Sequence, residues 1–285
     1  MRIVPNGVVF IAVNYRTTEA ALHFARRIEA ARTDASVDIG LVLVDNTDGT
    51  GVGELGKSLR LESIGSLFLE GAGNLGYFGG ARHGLKAMRH AGWDPDWIVV
   101  SNVDLEFDPK AFADILRNQD PTAVGIVAPR VRSSLTLREL NPYLAIRPSA
   151  MRMQMYKWIF RQHPTMLAYE WLAQAAARLL RPFRGNQNNR KHVGHSIYAP
   201  HGSIIVFSRE FFKRGGTLDH TPFLFGEEIS VAEAARHGNL PVQYVPEIEV
   251  IHSEHASIGA LPSRRIQGFL RESSAYCADR FFPLR

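Results

Sequence analysis

The stretch Trp97–Asp108, WIVVSNVDLEFD, opens with an apolar run and breaks into polar residues at Ser101-Asn102-Val103-Asp104. Four apolar residues closed by a polar tetrad predict a buried strand, Trp97–Val100, followed by its carboxyl end. In open α/β sheets ligands gather outside that edge. A carboxylate projecting there suits a divalent cation, because hard cations prefer oxygen donors. Asp104 taken alone is equally a turn acid ahead of Asp108-Pro109, so the neighbouring segments have to decide.

Upstream, Gly7–Val13 (GVVFIAV) is an unbroken apolar run, as expected of a strand buried on both faces. Asn14-Tyr15 ends it, and Thr17 or Thr18 is placed to cap a helix running to about Arg32. Ile39–Val44 predicts a second strand ending in Asp45, and residues 67–70 a third, with a weak helix near 54–60 between them. The segment Gly71–Gly80 (GAGNLGYFGG) then leads into a helix expected at about 81–90. Strands alternating with helices imply a mainly parallel sheet. Three successive strand ends carry polar side chains: Asn14/Tyr15, Asp45, and Asn102/Asp104. Downstream, strands are expected at 123–128, 203–207, 241–245 and 249–251, and helices at 151–160, 166–180, 209–214 and 227–237. Arg130–Pro148 shows no period.

The chain has 285 residues, 45% hydrophobic and 21% charged, a globular composition. One cysteine, Cys277, excludes an intrachain disulfide framework and a cysteine-built zinc site. No apolar run approaches the ~20 residues of a membrane span. The N-terminal run is too short and too weakly charged for a secretory signal, so a cytoplasmic protein is expected, either free or peripheral on the inner face of the membrane. The net charge of +5 is unevenly spread: residues 145–195 hold nine Lys/Arg against the single acid Glu170, leaving the remainder at −3. A basic island on a slightly acidic body suits anionic partners.

Several motifs carry chemistry. Glycines ahead of a helix let the backbone approach a diphosphate, although Gly71–Gly80 fits neither the dinucleotide fingerprint nor the Walker pattern. A carboxylate only accepts hydrogen bonds, so Asp45 beside a nucleotide would select the N3–H of uracil or thymine over cytosine; the alternative is an Asx turn. Glu227-Glu228 start a helix behind Phe223-Leu224-Phe225. They serve either as dipole caps or, desolvated by the phenylalanines, as a general base of raised pKa. His252, with His255 three residues on, stands beyond a strand where an imidazole could join a metal shell, manganese more readily than magnesium.

The order of these motifs resembles the family 2 glycosyltransferases of the GT-A fold, above all their bacterial rhamnosyltransferase-like branch. The likeness covers about residues 7–128 and 199–257. It implies an α/β, Rossmann-like, mainly parallel sheet flanked by helices, and a single domain. That domain divides into a nucleotide-binding half (1–130), a basic helical insertion (131–198), an acceptor and catalytic half (199–257) and a C-terminal tail (258–285). It implies inverting transfer from a UDP- or dTDP-sugar to a hydroxyl of a glycan or lipid-linked saccharide, in polysaccharide synthesis, with Mn2+ or Mg2+. Carried over by position, Asn14, Tyr15, Asp45, Asn74, Gly76, Asn102 and Val103 would bind the nucleotide. Asp104 and His252 would hold the metal, Glu228 or Glu227 would be the base, and His201-Gly202 would face the acceptor. Two departures stand out: Asn102 replaces an acid in the metal motif, and the base is Glu rather than Asp.

Residues 148–195 lie outside the likeness. Met151, Met155, Trp158 and Ile159 follow helical spacing among Arg152, Lys157 and Arg161, and Met166, Tyr169, Leu172 and Ala173 repeat the pattern. Such helices suit an anionic membrane surface, a lid or a homo-oligomer interface. A nucleotidyltransferase and a non-catalytic sugar-nucleotide or anionic-polymer binder remain as alternatives. Nucleic acid is not expected as a partner, since few aromatic residues flank the basic island.

Overall fold

A computed structural model describes residues 7–32, 38–62, 66–70, 73–180, 196–253 and 263–284. Residues 71–72, the arginines at 181 and 184, the polar loop at 185–195, and His255 lie outside the described residues. In chain order the elements are β1 (Val8–Asn14), α1 (Thr18–Arg32), β2 (Ile39–Asp45), α2 (Glu54–Glu62), β3 (Leu67–Glu70) and α3 (Tyr77–His90). Then come β4 (Trp97–Asn102), β5 (Leu105–Glu106), α4 (Pro109–Arg117), β6 (Ile126–Ser133), α5 (Ala150–Ile159) and α6 (His163–Leu180). The chain closes with β7 (Ser196–Ile197), β8 (Ile204–Ser208), α7 (Arg209–Lys213), α8 (Glu227–His237), β9 (Val242–His252) and α9 (Arg264–Phe281).

The sheet order is β3-β2-β1-β4-β8-β6-β9-β5, with β7 against β9. Strands β3, β2, β1, β4, β6 and β9 share one direction, and β8 runs antiparallel between β4 and β6. Every residue of β1 is buried. Its alternate side chains enter two cores: Phe10 and Ala12 join α1 and α4, while Ile11 and Val13 join α3 and α8. Register aligns Asn14 with Asp45, and Val13 with Asn102, so the predicted polar strand ends do share one edge.

Three boundaries differ from expectation. Helix α3 opens at Tyr77 rather than near 81, with Gly79 and Gly80 of the glycine run inside it. A Cβ at Gly84 would stand 2.5 Å from Ile11, and one at Gly80 2.8 Å from Asn46. These glycines therefore serve close helix-on-sheet packing, which outweighs their low helix propensity. The strand expected at 123–128 begins at Ile126 and continues to Ser133. The two late strands are one, β9, whose register against β6 shifts at Pro129/Arg130 through a bulge.

Both helices of the insertion form, and most of the apolar stripe of α5 faces outward. Met151, Met155 and Trp158 are 77%, 46% and 66% exposed, and only Ile159 of that set is buried. Instead Met153 and Ile159 turn inward, and Met153 joins a third core with Ala199, Ile229, Cys277 and Phe282, which ties α5 to α8 and α9. The C-terminal segment, read as a tail, is thus a packed helix.

A fully buried carboxylate locks these helices to the sheet. Glu233 on α8 accepts hydrogen bonds from Arg147 Nε (2.6 Å), Tyr198 Oη (2.8 Å) and Arg236 Nε (3.0 Å). Arg147 also donates to the carbonyl of Phe281 and covers the Phe282 ring at 4.3 Å. Burial alone would raise the Glu233 pKa, but these donors overcome it and hold the carboxyl below the usual range. Removing one side of such a buried pair leaves charge uncompensated. Glu233→Ala is expected to cost about 3–5 kcal/mol in urea unfolding. Loss of the exposed Arg236 partner should cost under ~1 kcal/mol. Equal losses in the two variants would contradict this ranking.

Candidate active site

A cavity of about 710 Å³ opens at the carboxyl edge of β1 and β4. Its wall includes Tyr15, Asn74, Gly76, Asn102, His201, Gly202, Glu227, Glu228 and His252, all singled out from sequence. It also includes Asn46, Tyr77 and Ser203, the phenylalanine turn, and Arg265, Ile266 and Phe269 of α9. The α9 residues carried no motif, since their part in the site arises only from tertiary packing.

Four predicted residues do not line the wall: Asn14, Asp45, Val103 and Asp104, the last of which lies 3.5 Å from the wall residue His252. Asn14 is wholly buried; its Oδ1 accepts from the N–H and hydroxyl of Thr17 at the start of α1. Its Nδ2 donates to Asp45 Oδ1 at 3.0 Å. Asp45 is nearly sealed and takes, on that same oxygen, the N–H and hydroxyl of Thr47 at 3.0 and 2.6 Å. The Asx turn offered as its alternative is therefore present, and its first job is to fix the strand ends. Val103 points into the core beside Leu105 and Phe107 rather than towards a ligand, because the chain passes from β4 into β5 there.

Two loops meet at Gly76. Its φ of 73° lies in the left-handed region, and a Cβ would collide with the Phe223 carbonyl oxygen. Asn46 Nδ2 donates to the Gly76 carbonyl at 2.8 Å, and Asn74 Oδ1 accepts from its N–H at 3.1 Å. Asn46 was passed over in the sequence because its neighbour Asp45 carries the charge.

The turn before α8 has two consecutive positive φ values, 71° at Phe225 and 84° at Gly226. A Cβ at Gly226 would sit 2.5 Å from Ser273 Oγ on α9, so the turn is pressed tightly against that helix. This geometry sets Glu227 and Glu228 at the cavity. A Cβ on Gly202 would stand 2.6 Å from Glu228 Oε1, so only glycine admits the carboxylate there. Burial pushes the Glu228 pKa up, against the opposing hydrogen bonds of its own N–H and those of Gly202 and Gly226. Burial, then the charge of Glu228, pushes Glu227 up as well. Glu227 Oε2 has no partner among the described residues. His220 lies 3.9 Å away but gives no counter-charge: burial brings its pKa down to about 4, and its Nε2–H donates to the Phe225 carbonyl. The pair therefore forms a base of raised proton affinity.

Across the cavity the buried hydroxyl of Tyr77 has no partner among the described residues. Burial, then the charges of Glu227, Glu228 and Asp104, raises its pKa well above the phenol range. His252 Nε2 and Asp104 Oδ1 are 3.5 Å apart. Asp104 Oδ1 and His252 Nδ1 are both buried without hydrogen-bond partners. An acid and an imidazole so left fit a divalent cation. No cluster of three or more His, Cys, Asp or Glu ligands occurs among the described residues, so a bound cation would draw its other oxygens from a ligand. His201 Nδ1 accepts from the Ser203 N–H. Burial first, and His252 second, bring His201 down to about 4, so it is neutral near pH 7.

No family model matches the chain. The chain is 24% identical over 244 residues to the low-salt glycan biosynthesis hexosyltransferase Agl10 of Haloferax volcanii, covering 86% of this chain and 66% of that protein. It is 24% identical over 270 residues to the N-acetylglucosaminyl-diphospho-decaprenol L-rhamnosyltransferase of Mycobacterium tuberculosis, covering 90% and 80%. Among solved structures, mannosyl-3-phosphoglycerate synthase from Rubrobacter xylanophilus aligns with a TM-score of 0.53 at 13% identity, over 98% of this chain and 76% of that one. GalNAc-T7 with UDP, GalNAc and Mn2+ aligns with a TM-score of 0.53 at 12% identity, over 90% and 45%. The fold is the GT-A glycosyltransferase fold, and the likeness drawn from motif order is met by relatives that are themselves hexosyl- and rhamnosyltransferases.

The raised pKa of Glu227 has a consequence for stability. A carboxyl with a folded pKa above its unfolded one contributes fully below about pH 4.3, and that contribution is lost as pH rises through the folded pKa. Glu227→Gln is therefore expected to raise the midpoint of thermal unfolding at pH 8 and to leave it little changed at pH 4. An equal shift at both pH values would contradict a desolvated, ionising Glu227.

Proposed function

We infer that this chain is a glycosyltransferase of the family 2, rhamnosyltransferase-like kind. We propose that it transfers a sugar, with inversion, from a nucleotide-diphosphate donor to a hydroxyl of a glycan or lipid-linked saccharide. The observation that carries this reading is the placement of Glu228: a carboxylate of raised basicity, seated on Gly202, at a cavity whose wall includes the polar strand end at Asn102. Glu228 takes the acceptor proton as the acceptor oxygen bonds to the anomeric carbon, and the bond from that carbon to the diphosphate oxygen breaks with its electron pair leaving on the diphosphate. In-line attack inverts the configuration. Repulsion between Glu227 and Glu228 raises the pair's proton affinity.

Asp104 and His252 would hold Mn2+ or Mg2+, which, when bound, supplies positive charge for the departing diphosphate. Gly76 and its partners Asn46 and Asn74 keep the backbone open beside the donor, and Tyr15 forms the rim where a base would stack. UDP and dTDP are the nucleotides proposed, because Asp45 stands at the position of the base-reading acid in the family's motif order; its own bonds to Asn14 and Thr47 fix the strand end behind the cavity wall.

The proposal extends to a membrane surface. No described helix is long and apolar enough to cross a membrane. Met151, Met155 and Trp158 nevertheless project outward from α5 beside Arg152 and Arg161, which matches an interfacial helix that meets anionic lipid. A cytoplasmic enzyme working on a lipid-linked acceptor would use such a face.

Glu228→Gln is expected to lower transfer at least ~10³-fold while a Mn2+-dependent thermal shift with UDP or dTDP persists; the general-base effect alone spans about 10²–10⁴-fold. Turnover close to wild type would remove Glu228 as the base. The acid limb of the pH–rate profile should lie above the ordinary carboxylate range, with rates rising as Glu228 loses its proton. In flotation assays the protein should rise with vesicles containing anionic lipid and stay behind with neutral ones, and Trp158→Ser should weaken the effect. Flotation that is the same with both lipids would count against the α5 surface.

A further inference from the structure

Glu228 belongs to two cavities. On the side away from the strand edge lies a second, of about 530 Å³, which shares Glu228, His201 and Phe225 with the first. Apart from Gly226 and Ile229 at the start of α8, its remaining wall is built by segments outside the family likeness, namely the loop at Tyr143 and helices α5, α6 and α9. Three rings form a fixed cluster there. Tyr156 and Phe160 stack at 5.9 Å, and Tyr169 meets them edge-on at 5.9 and 6.1 Å. The hydroxyl of Tyr169 donates to that of Tyr156.

Arg152 stands at the rim of this cavity. Its Nε and Nη2 both donate to the Tyr156 hydroxyl, at 3.0 and 2.8 Å, and its guanidinium lies 5.4 Å from that ring. Among the described residues it pairs with no carboxylate. A guanidinium held in place by a neutral phenol keeps its charge available, and its planar fork matches a phosphate. The aromatic faces offer apolar contact to the C–H face of a sugar ring, while the phenols offer hydrogen bonds to its hydroxyls. The base would meet the attacking hydroxyl from this side and the donor from the other.

We propose that this second cavity is the acceptor site, that its aromatic cluster holds a sugar ring, and that Arg152 binds a phosphate attached to that sugar. The assignment rests on the transferase reading and adds the acceptor's chemical class, a phosphorylated saccharide. Such a phosphate occurs on a soluble sugar phosphate or on a sugar joined to a prenyl diphosphate.

The test uses the full chain saturated with UDP and Mn2+ and measures binding of three probes by calorimetry. These are N-acetylglucosamine, N-acetylglucosamine 1-phosphate and N-acetylglucosaminyl diphosphate on a short prenyl chain. The phosphorylated sugars should bind at least ~10-fold more tightly than the neutral sugar, as a charge-assisted bidentate contact worth ~1.4 kcal/mol or more would give. Arg152→Gln should abolish that preference, and Arg152→Lys should retain part of it. The thermal shift with UDP and Mn2+ should be the same in both variants as in the wild type. A further gain for the prenyl probe identifies a lipid-linked acceptor; equal binding of the two phosphorylated probes identifies a soluble one. Equal affinity for phosphorylated and neutral sugar, or a preference unchanged in Arg152→Gln, overturns the acceptor assignment while the nucleotide shift still stands. Absence of that shift in the wild type overturns the transferase reading, and the acceptor site with it.

Discussion

The carboxylate of Glu233 is the point on which the catalytic half depends. It sits five residues, more than one helical turn, beyond Glu228 on α8 and is sealed from water. Its donors come from Arg147 in the insertion, from Tyr198 just after β7, and from Arg236 on its own helix. Through Arg147 the same knot reaches the end of α9. A buried ion pair adds little net stability over an apolar core, but it tolerates only one arrangement of its partners. Here that arrangement sets the position of the helix that begins with the two acids.

Charge at the site runs the other way. Glu227 is buried with its Oε2 unpartnered, its histidine neighbour is neutral, and the phenol of Tyr77 lies among three acids. Local free energy is lost there, and proton affinity is gained. The two glutamates are thus treated oppositely to Glu233 on the same helix: one carboxylate is surrounded by charged donors and held ionised, while burial outweighs the backbone N–H groups that reach the pair. The positive φ values at Phe225 and Gly226 fall in the same turn, which is where strain is expected to collect if the surrounding packing over-determines the backbone.

Much of this was legible in the chain. Buried parallel strands announce themselves as apolar runs, so β1, β2 and β4 were plain, and the polar residues closing them marked one edge. What the runs lack is direction. SIIVF reads the same whether the strand is parallel or reversed, and its reversal as β8 comes from tertiary pairing alone. Side-chain aim beyond a strand end was equally hidden: Asn102 and Val103 are adjacent, yet one faces the cavity and the other the core. Asn14 and Asp45 were placed correctly on the edge, but a residue that can cap a helix or hold a turn satisfies the same pattern as one that holds a ligand. For α5 the helical period was legible. Met151, Met155 and Trp158 fit a helical stripe, but spacing alone does not say which side meets the protein. The glycines of α3 resembled a phosphate loop because close approach to a ligand and close approach to a sheet demand the same missing side chain.

The reversed strand has a consequence for how the molecule comes together. β8 lies between β4 and β6, which precede it by about a hundred and about seventy residues in the chain. Until residues 204–208 arrive, β4 is an open edge and β6 has no strand partner, since β8 and β9 both follow it in the chain, so a chain emerging from the ribosome holds one four-stranded piece of sheet with β5 and β6 unpaired. The βαβ units of residues 8–102 make local contacts and can form early, whereas the central seam must wait for a long loop to close. An unpaired edge as apolar as Trp97–Val100 is sticky while it waits. Truncation before β8 would leave not a smaller enzyme but half a sheet with an open apolar edge.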